Sequence, residues 1–330
     1  MKQILENLYN HKTLNREEAK VILMEIASGK FNSSQIASFM TAFIMRNITL
    51  DELMGFRDAL LTLCIKVDLS EFNPMDVCGT GGDGKNTFNI STLTSFVAAG
   101  AGIPIAKHGN YGVSSVSGSS NVMEYLGITF ETNAEKLKSQ LKAANICYLH
   151  APLFHPALKN VGPVRKEMGV RTFFNMLGPL VNPAQPKIQM TGVFSAELAR
   201  MYQYLLQQEH GQYSIVYALD GYDEITLTDN TKVVSNYGER IFSPQQFGLS
   251  SIAAADLYGG DTVEQAAKIF MDVLQAKGTT AQHNAVLANA SLAIKTYHPD
   301  KSFEETLSMA NESLFSHSAL ASFNILKQLQ

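Results

Sequence analysis

The stretch that most constrains this chain runs Asp76-Val-Cys-Gly-Thr-Gly-Gly-Asp-Gly-Lys-Asn-Thr-Phe-Asn-Ile-Ser-Thr. A short apolar run at 75–78 meets glycines at 79, 81, 82 and 84, and Ser91 and Thr92 then open an apolar segment of helix length. Glycines let backbone N–H groups close on an anion, and a helix N-terminus adds partial positive charge. Strand, glycine turn and helix in that order predict a phosphate-binding loop in an α/β protein. The competing reading is a glycine-rich turn that binds nothing.

Three phosphate ligands compete for the loop. Gly79-x-Gly81-x-x-Gly84 fits the dinucleotide fingerprint, which needs an Asp or Glu about 20 residues on, at the end of the next strand. Here the next apolar run ends in Lys107-His108-Gly109-Asn110, whose cation attracts a second phosphate rather than a ribose diol. The run from Gly79 to Lys85 reads GxxxxGK, yet Asn86 stands where a nucleotide-binding P-loop needs Ser or Thr for magnesium. What remains is a ligand with two phosphoryl groups, held by 79–84 on one side and Lys107 on the other.

Around this loop the pattern divides the chain. Asn15-Arg-Glu-Glu, Asn32-Ser-Ser-Gln and Thr49-Leu-Asp-Glu each place a capping side chain ahead of an acidic or amide residue. Ile22 and Ile26, then Ile36, Phe39 and Phe43, follow at helical spacing, so residues 1–68 read as a small all-helical domain. From 73 to 330, short apolar runs at 75–78, 103–106, 146–149, 188–193 and 214–219 alternate with helix-length segments. That alternation predicts a larger α/β domain with a mainly parallel central sheet flanked by helices. Helices are expected from near Ser91, Ser119, Ala134, Pro156, Ala196, Thr262 and Thr280, and a hairpin from 225–227 with 232–235. The Gly-, Pro- and Asn-rich segment at about 162–186 is expected to return to the helical domain.

Composition excludes several classes. Of 330 residues, 45% are hydrophobic and 17% charged, with a net charge of −4, so no basic face for nucleic acid is indicated. Cys64, Cys78 and Cys147 lack disulfide or zinc spacing and suit a reducing cytoplasm. The polar start MKQILENLYNHKTLN carries no signal-peptide run. The most apolar stretch, 96–106, falls short of the ~20 residues of a membrane span. A cytoplasmic protein without membrane or nucleic-acid partners is expected.

The motifs GTGGD, NIST, KHGN and VSSVSGSS, followed in order by His155-Pro-Ala-Leu-Lys, Pro163-Val-Arg-Lys-Glu-Met-Gly, Arg171-Thr-Phe-Phe-Asn-Met-Leu-Gly-Pro-Leu-Val-Asn-Pro and Asp220-Gly-Tyr-Asp-Glu, resemble the anthranilate phosphoribosyltransferase family over most of the chain. The resemblance implies a helical and an α/β domain, and a homodimer through the helical domain. It also implies Mg²⁺-dependent transfer of the phosphoribosyl group of phosphoribosyl pyrophosphate to the amine of anthranilate.

The resemblance carries residue roles with it. Gly79, Gly82, Asp83, Thr87, Asn89, Ile90, Ser91 and Thr92 would surround the pyrophosphate and ribose. Lys107, His108, Gly109, Asn110, Tyr111, Gly112, Val113, Ser114, Ser115 and Ser119 would complete the phosphoribosyl pyrophosphate site. Asp223 and Glu224, with Ser91 as a further oxygen, suit hard Mg²⁺. Gly79, Asn110 and Arg165 would receive anthranilate, because a guanidinium matches its carboxylate in bidentate fashion. No obligate acid or base is assigned, since the reaction is one of positioning and electrostatics.

Three positions depart from the family pattern. Tyr111 stands where Arg is common, Val116 where Lys is common, and Asn121 where an acidic residue is frequent. Two rival readings remain at this stage: a pyrimidine nucleoside phosphorylase, which shares the architecture, and a non-catalytic relative that binds nucleic acid.

Overall fold

A computed structural model of the chain describes residues 1–112, 117–209 and 211–329. Val113, Ser114, Ser115 and Val116 lie outside the described residues. The chain divides into two compact units. One comprises Met1–Lys66 with Ala151–Pro183, the other Val67–His150 with Ala184–Gln330.

The first unit is all helical: α1 (Lys2–Tyr9), α2 (Arg16–Ala27), α3 (Ser33–Met45) and α4 (Leu50–Leu63), joined by the returning α8 (Ala151–Phe154) and α9 (Gly162–Met168). Asn15 with Glu18, Asn32 with Gln35 and Thr49 with Glu52 form reciprocal capping boxes that start α2, α3 and α4. The returning segment begins earlier than the Gly162 expected from composition. Phe154 O accepts the Ile65 N–H at 2.8 Å, and Asn160 Nδ2 donates to Ala27 O at 2.9 Å. Phe173 brings this segment into the core, its ring stacked on Phe56 at 4.3 Å and edge-on to Phe43 at 5.2 Å.

The second unit is built on one seven-stranded sheet: β1 (Met75–Gly79), β2 (Ile105–Gly109), β3 (Ile146–His150), β4 (Ile188–Gly192), β5 (Gln212–Ala218), β6 (Thr231–Ser235) and β7 (Gly238–Phe242). Their order is β3-β2-β1-β4-β5-β6-β7, with the β5–β6 and β6–β7 pairs antiparallel and the other pairs parallel, so that β6 alone is reversed. Its helices are α5 (Ile90–Gly100), α6 (Ser119–Tyr125), α7 (Ala134–Ala144), α10 (Ala196–Gln207), α11 (Val263–Leu274), α12 (Thr280–Tyr297), α13 (Phe303–Phe315) and α14 (Ser318–Gln328). The core is one apolar cluster around α5, where Phe96 meets Phe323 of α14 at 5.4 Å and Phe270 of α11 at 6.0 Å.

Two local expectations change. The hairpin expected from 225–227 does not form. Asn289 of α12 takes both backbone groups of Ile225, accepting its N–H at 3.1 Å and donating to its carbonyl at 2.7 Å, and Leu227 adopts φ 60°. The hairpin is instead β6 with β7. The second strand also starts at Ile105 rather than 103, because Pro104 has no N–H for a ladder; its carbonyl accepts the Met75 N–H at 2.8 Å.

Candidate active site

The sheet order reverses between β1 and β4: from β1 the chain runs out through β2 and β3, then returns to the other side of β1 as β4. In open α/β sheets such a switch point, at the carboxyl ends of the strands, opens a binding crevice. Gly79 ends β1, Gly109 ends β2, Gly192 ends β4 and the Asp220-to-Glu224 segment follows β5. The glycine loop, the Lys-His-Gly-Asn segment and the acidic pair therefore converge on one edge of one sheet.

Two buried side chains hold that edge open. The ladder between β1 and β2 is limited to the pair Met75↔Ile105, whereas β1 pairs with β4 along five residues, from Met75↔Ile188 to Gly79↔Gly192. Beyond Met75, two backbone groups between the strands are met by side chains. Asp76 Oδ1 accepts the His108 N–H at 3.1 Å, and Lys107 Nζ donates to Val77 O at 2.6 Å. Both residues are buried. An ammonium has three donors, so Lys107 retains capacity for an anion.

The glycine loop is fastened to the acidic segment. Gly81 N–H donates to Asp223 Oδ2 at 2.7 Å, and Ser91 N–H at the start of α5 donates to Glu224 Oε1 at 2.9 Å. Gly81, Gly82 and Gly84 all have positive φ (62°, 74° and 77°), which side-chain-bearing residues adopt at a cost. Gly79 allows close approach: a Cβ there would lie 2.5 Å from Asp223 Oδ2. Burial, followed by the charge of Asp83, pushes the Asp223 carboxyl up to about 7. Burial, then Asp223 and Asp83, raises Glu224 well above the usual carboxylate range. Among the described residues neither carboxylate has a Lys or Arg ion pair. Adjacent, desolvated, oxygen-only ligands without an ion-pair partner could hold a hard divalent cation. Ser91 stands beside them through the Glu224 contact. Asp220 instead accepts from Thr228 Oγ1 within its own turn.

The other residues singled out in the sequence fall as follows. Asp83 Oδ1 accepts the Lys85 N–H at 2.9 Å, and Thr87 forms an isolated bridge with Tyr258. Asn89 Nδ2 donates to Ser117 O at 3.3 Å, tying the glycine segment to the serine segment. Ile90 is wholly buried with its N–H given to Phe88 O, and Thr92 is buried with a hydroxyl that has no hydrogen-bond partner among the described residues. Asn110 is exposed; its Oδ1 accepts the Tyr111 N–H at 2.8 Å and its carbonyl accepts from Ser120 N and Ser119 Oγ. Asn121 Oδ1 accepts both the Gly112 N–H at 2.9 Å and the Gly118 N–H at 3.0 Å, clasping the ends of the segment that carries the serines. Tyr111 Oη bonds to the Glu124 carboxylate at 3.4 Å.

In the helical unit, Arg165 lies on α9 with its guanidinium 5.0 Å over the Phe174 ring, and burial lowers its pKa. His155 Nε2 is 2.9 Å from Val181 O and donates to it, and burial depresses its pKa to about 4.

Sequence reasoning missed Asp76 and also Tyr148, whose hydroxyl donates to Ser119 Oγ at 2.7 Å. Asp76 opens the motif and is charged inside an apolar run, which is a readable signal. Tyr148 lies in an apolar run at 146–149 and gives none.

Residues 71–320 match the family model described as the glycosyl transferase family, a/b domain, and residues 2–64 match its helical bundle domain. The chain is 57% identical over 329 residues to the anthranilate phosphoribosyltransferase of Christiangramia forsetii, covering 100% of this chain and 99% of that one. The chain belongs to the anthranilate phosphoribosyltransferase family. Among solved structures of the family, the Thermus thermophilus enzyme superposes with a TM-score of 0.90 at 30% identity, over 98% of both chains. The Saccharomyces cerevisiae enzyme in complex with PRPP and Mg superposes with a TM-score of 0.91 at 27% identity, over 98% of this chain and 96% of that one. No helix among the described residues is long and apolar enough to cross a membrane.

Proposed function

We propose that the chain is an anthranilate phosphoribosyltransferase of L-tryptophan biosynthesis. It transfers the 5-phosphoribosyl group of phosphoribosyl pyrophosphate to the amine of anthranilate, giving N-(5-phosphoribosyl)anthranilate and pyrophosphate. The observation that carries this reading is the adjacent pair of carboxylates, buried Asp223 and half-buried Glu224, hydrogen-bonded to the glycine loop and to the first turn of α5.

The chemistry asks for charge neutralisation at a departing pyrophosphate and for a held nucleophile. Asp223 and Glu224, with Ser91, would hold Mg²⁺, which neutralises charge on the phosphoryl oxygens when bound. The glycine-loop N–H groups and Lys107 face the phosphates, while Asp83, Thr87 and Asn89 border the ribose and pyrophosphate. Ser114, Ser115 and Ser119, with the backbone of 108–113, complete the phosphate contacts. Arg165 binds the anthranilate carboxylate, and Asn110 orients its amine. An aniline nitrogen is weakly basic and is nucleophilic without prior deprotonation, so no side chain is assigned as a base.

We also place the enzyme in the cytoplasm as a homodimer assembled through its helical unit. Three free cysteines and the exposed Tyr9, Ile44 and Met45 support that reading. The decisive experiment follows loss of anthranilate fluorescence with phosphoribosyl pyrophosphate and Mg²⁺. Consumption dependent on both is expected. Phosphorolysis of a pyrimidine nucleoside without loss of anthranilate overturns the assignment.

A further inference from the structure

Behind Ser119 lies a chain of buried polar groups that the reaction as described does not use. Tyr148 on β3 donates its hydroxyl hydrogen to Ser119 Oγ at 2.7 Å. The Tyr148 oxygen lies 3.1 Å from Ser120 Oγ, and Ser120 Oγ lies 2.8 Å from His150 Nδ1. Tyr148, Ser120 and His150 are all buried.

Counting protons gives the chain one direction. A hydroxyl carries one hydrogen and accepts at its lone pairs. Tyr148 spends its hydrogen on Ser119, so Ser120 must donate to Tyr148. Ser120 has then spent its own hydrogen, so His150 must donate through Nδ1–H. The run is His150 to Ser120 to Tyr148 to Ser119, and it leaves the Ser119 hydrogen to be given outward. Here that hydrogen goes to Asn110 O over a long 3.3 Å. A phosphate oxygen is a stronger acceptor than an amide carbonyl and would take it.

The surroundings hold this arrangement. Phe130 stacks on the His150 ring at 4.2 Å, and Tyr111 meets the ring edge-on at 4.8 Å. Burial depresses His150 to about 4, so the ring is neutral with Nδ1–H set by Ser120 and Nε2 left as an acceptor. Burial also raises the Tyr148 phenol above its usual value, so it keeps its hydrogen. The approach of these hydroxyls to β2 requires glycine at 109. A Cβ there would lie 1.9 Å from Tyr148 Oη and 2.7 Å from Ser119 Oγ.

We propose that His150, Ser120 and Tyr148 are positioning residues that fix the Ser119 hydroxyl as a hydrogen-bond donor to a phosphate oxygen of phosphoribosyl pyrophosphate. Each link polarises the next, so the terminal hydroxyl donates more strongly than an isolated serine. The inference rests on the reading that Ser119 contacts that substrate.

The test is steady-state kinetics on the full chain with Mg²⁺, comparing Ser119→Ala, Tyr148→Phe, Ser120→Ala, His150→Leu and His150→Asn. Tyr148→Phe, Ser120→Ala and His150→Leu should each raise KM for phosphoribosyl pyrophosphate by ~10-fold. Their kcat and KM for anthranilate should stay within about twofold. His150→Asn, whose amide N–H replaces Nδ1–H, should recover most of the loss seen with His150→Leu. If Ser119→Ala raises that KM while Tyr148→Phe and Ser120→Ala do not, the relay is wrong and the site reading stands. If Ser119→Ala leaves it unchanged, the site reading of Ser119 falls and the relay with it. His150→Asn as impaired as His150→Leu also overturns the relay, because packing alone would then explain both. Should Tyr148→Phe fail to fold, Ser120→Ala gives the same reading without touching an aromatic contact.

Discussion

Asp223→Asn separates the cost of a buried charge from its use. The amide keeps an oxygen for the Gly81 N–H, which Asp223 Oδ2 accepts at 2.7 Å, so the loop anchor is preserved while the charge is removed. In the folded chain burial and the charge of Asp83 push the Asp223 carboxyl from 3.8 up to about 7. A raised carboxyl pKa means the folded state binds its proton more tightly than the unfolded state. That contribution is fully present below about pH 3.8 and is lost as pH rises through about 7, leaving a handicap of up to about 4 kcal/mol at pH 8. Replacing the charge by a neutral amide recovers part of this, since the amide must still be desolvated. In chelator and without Mg²⁺, thermal melts at pH 8 should show the variant more stable than the parent by at least about 3 °C, at roughly 2 °C or more per kcal/mol. At about pH 5 the gap should shrink, because the parent carboxyl is then protonated when folded. Adding Mg²⁺ with phosphoribosyl pyrophosphate should reverse the order, raising the midpoint of the parent and not of the variant. Turnover of the variant should fall by ~100-fold or more, and further with Glu224→Gln added. A variant less stable than the parent at pH 8 in chelator, or a gap that ignores pH, would refute the reasoning.

Three further outcomes are expected. Arg165→Ala should raise KM for anthranilate by ~10-fold or more and leave that for phosphoribosyl pyrophosphate unchanged, which initial-rate kinetics over both substrates will show. Asn121→Ala releases the Gly112 and Gly118 N–H groups together, so it should raise KM for phosphoribosyl pyrophosphate several-fold and lower the melting midpoint by about 1–3 °C; an unchanged KM would make the clasp purely structural. His155 has its pKa depressed to about 4 by burial, so it contributes stability present above about pH 6.5 and lost as pH falls toward 4. His155→Gln should therefore lose less melting temperature than the parent between about pH 7 and pH 4.5, and equal losses would dismiss the assignment.

Much of this protein is legible along the chain because its signals are local. The capping boxes at Asn15, Asn32 and Thr49, the run from Met75 through the glycines into α5, and the alternation of apolar runs with helices are short-range patterns set by backbone geometry and periodicity. The phosphate loop and the acidic pair are also contiguous, so their chemistry is visible as residue types in order. The failed hairpin shows the limit: nothing near Ile225 tells that Asn289, 64 residues on, takes its backbone groups.

The sequence by itself determined the two kinds of domain, the phosphate loop and the family, since each rests on neighbours in the chain. Tertiary structure alone decided which groups meet. Asp76 and Lys107 take backbone groups of the facing strand between β1 and β2; Gly81 and Ser91 clasp Asp223 and Glu224; Tyr148 and His150 stand behind Ser119. These are contacts between elements, created only when the sheet order brings distant strand ends together. The burial that raises Asp223 and neutralises His150 is likewise a property of the packed molecule. Desolvation and hydrogen-bond direction depend on everything within a few ångströms, and that shell is assembled from the whole unit.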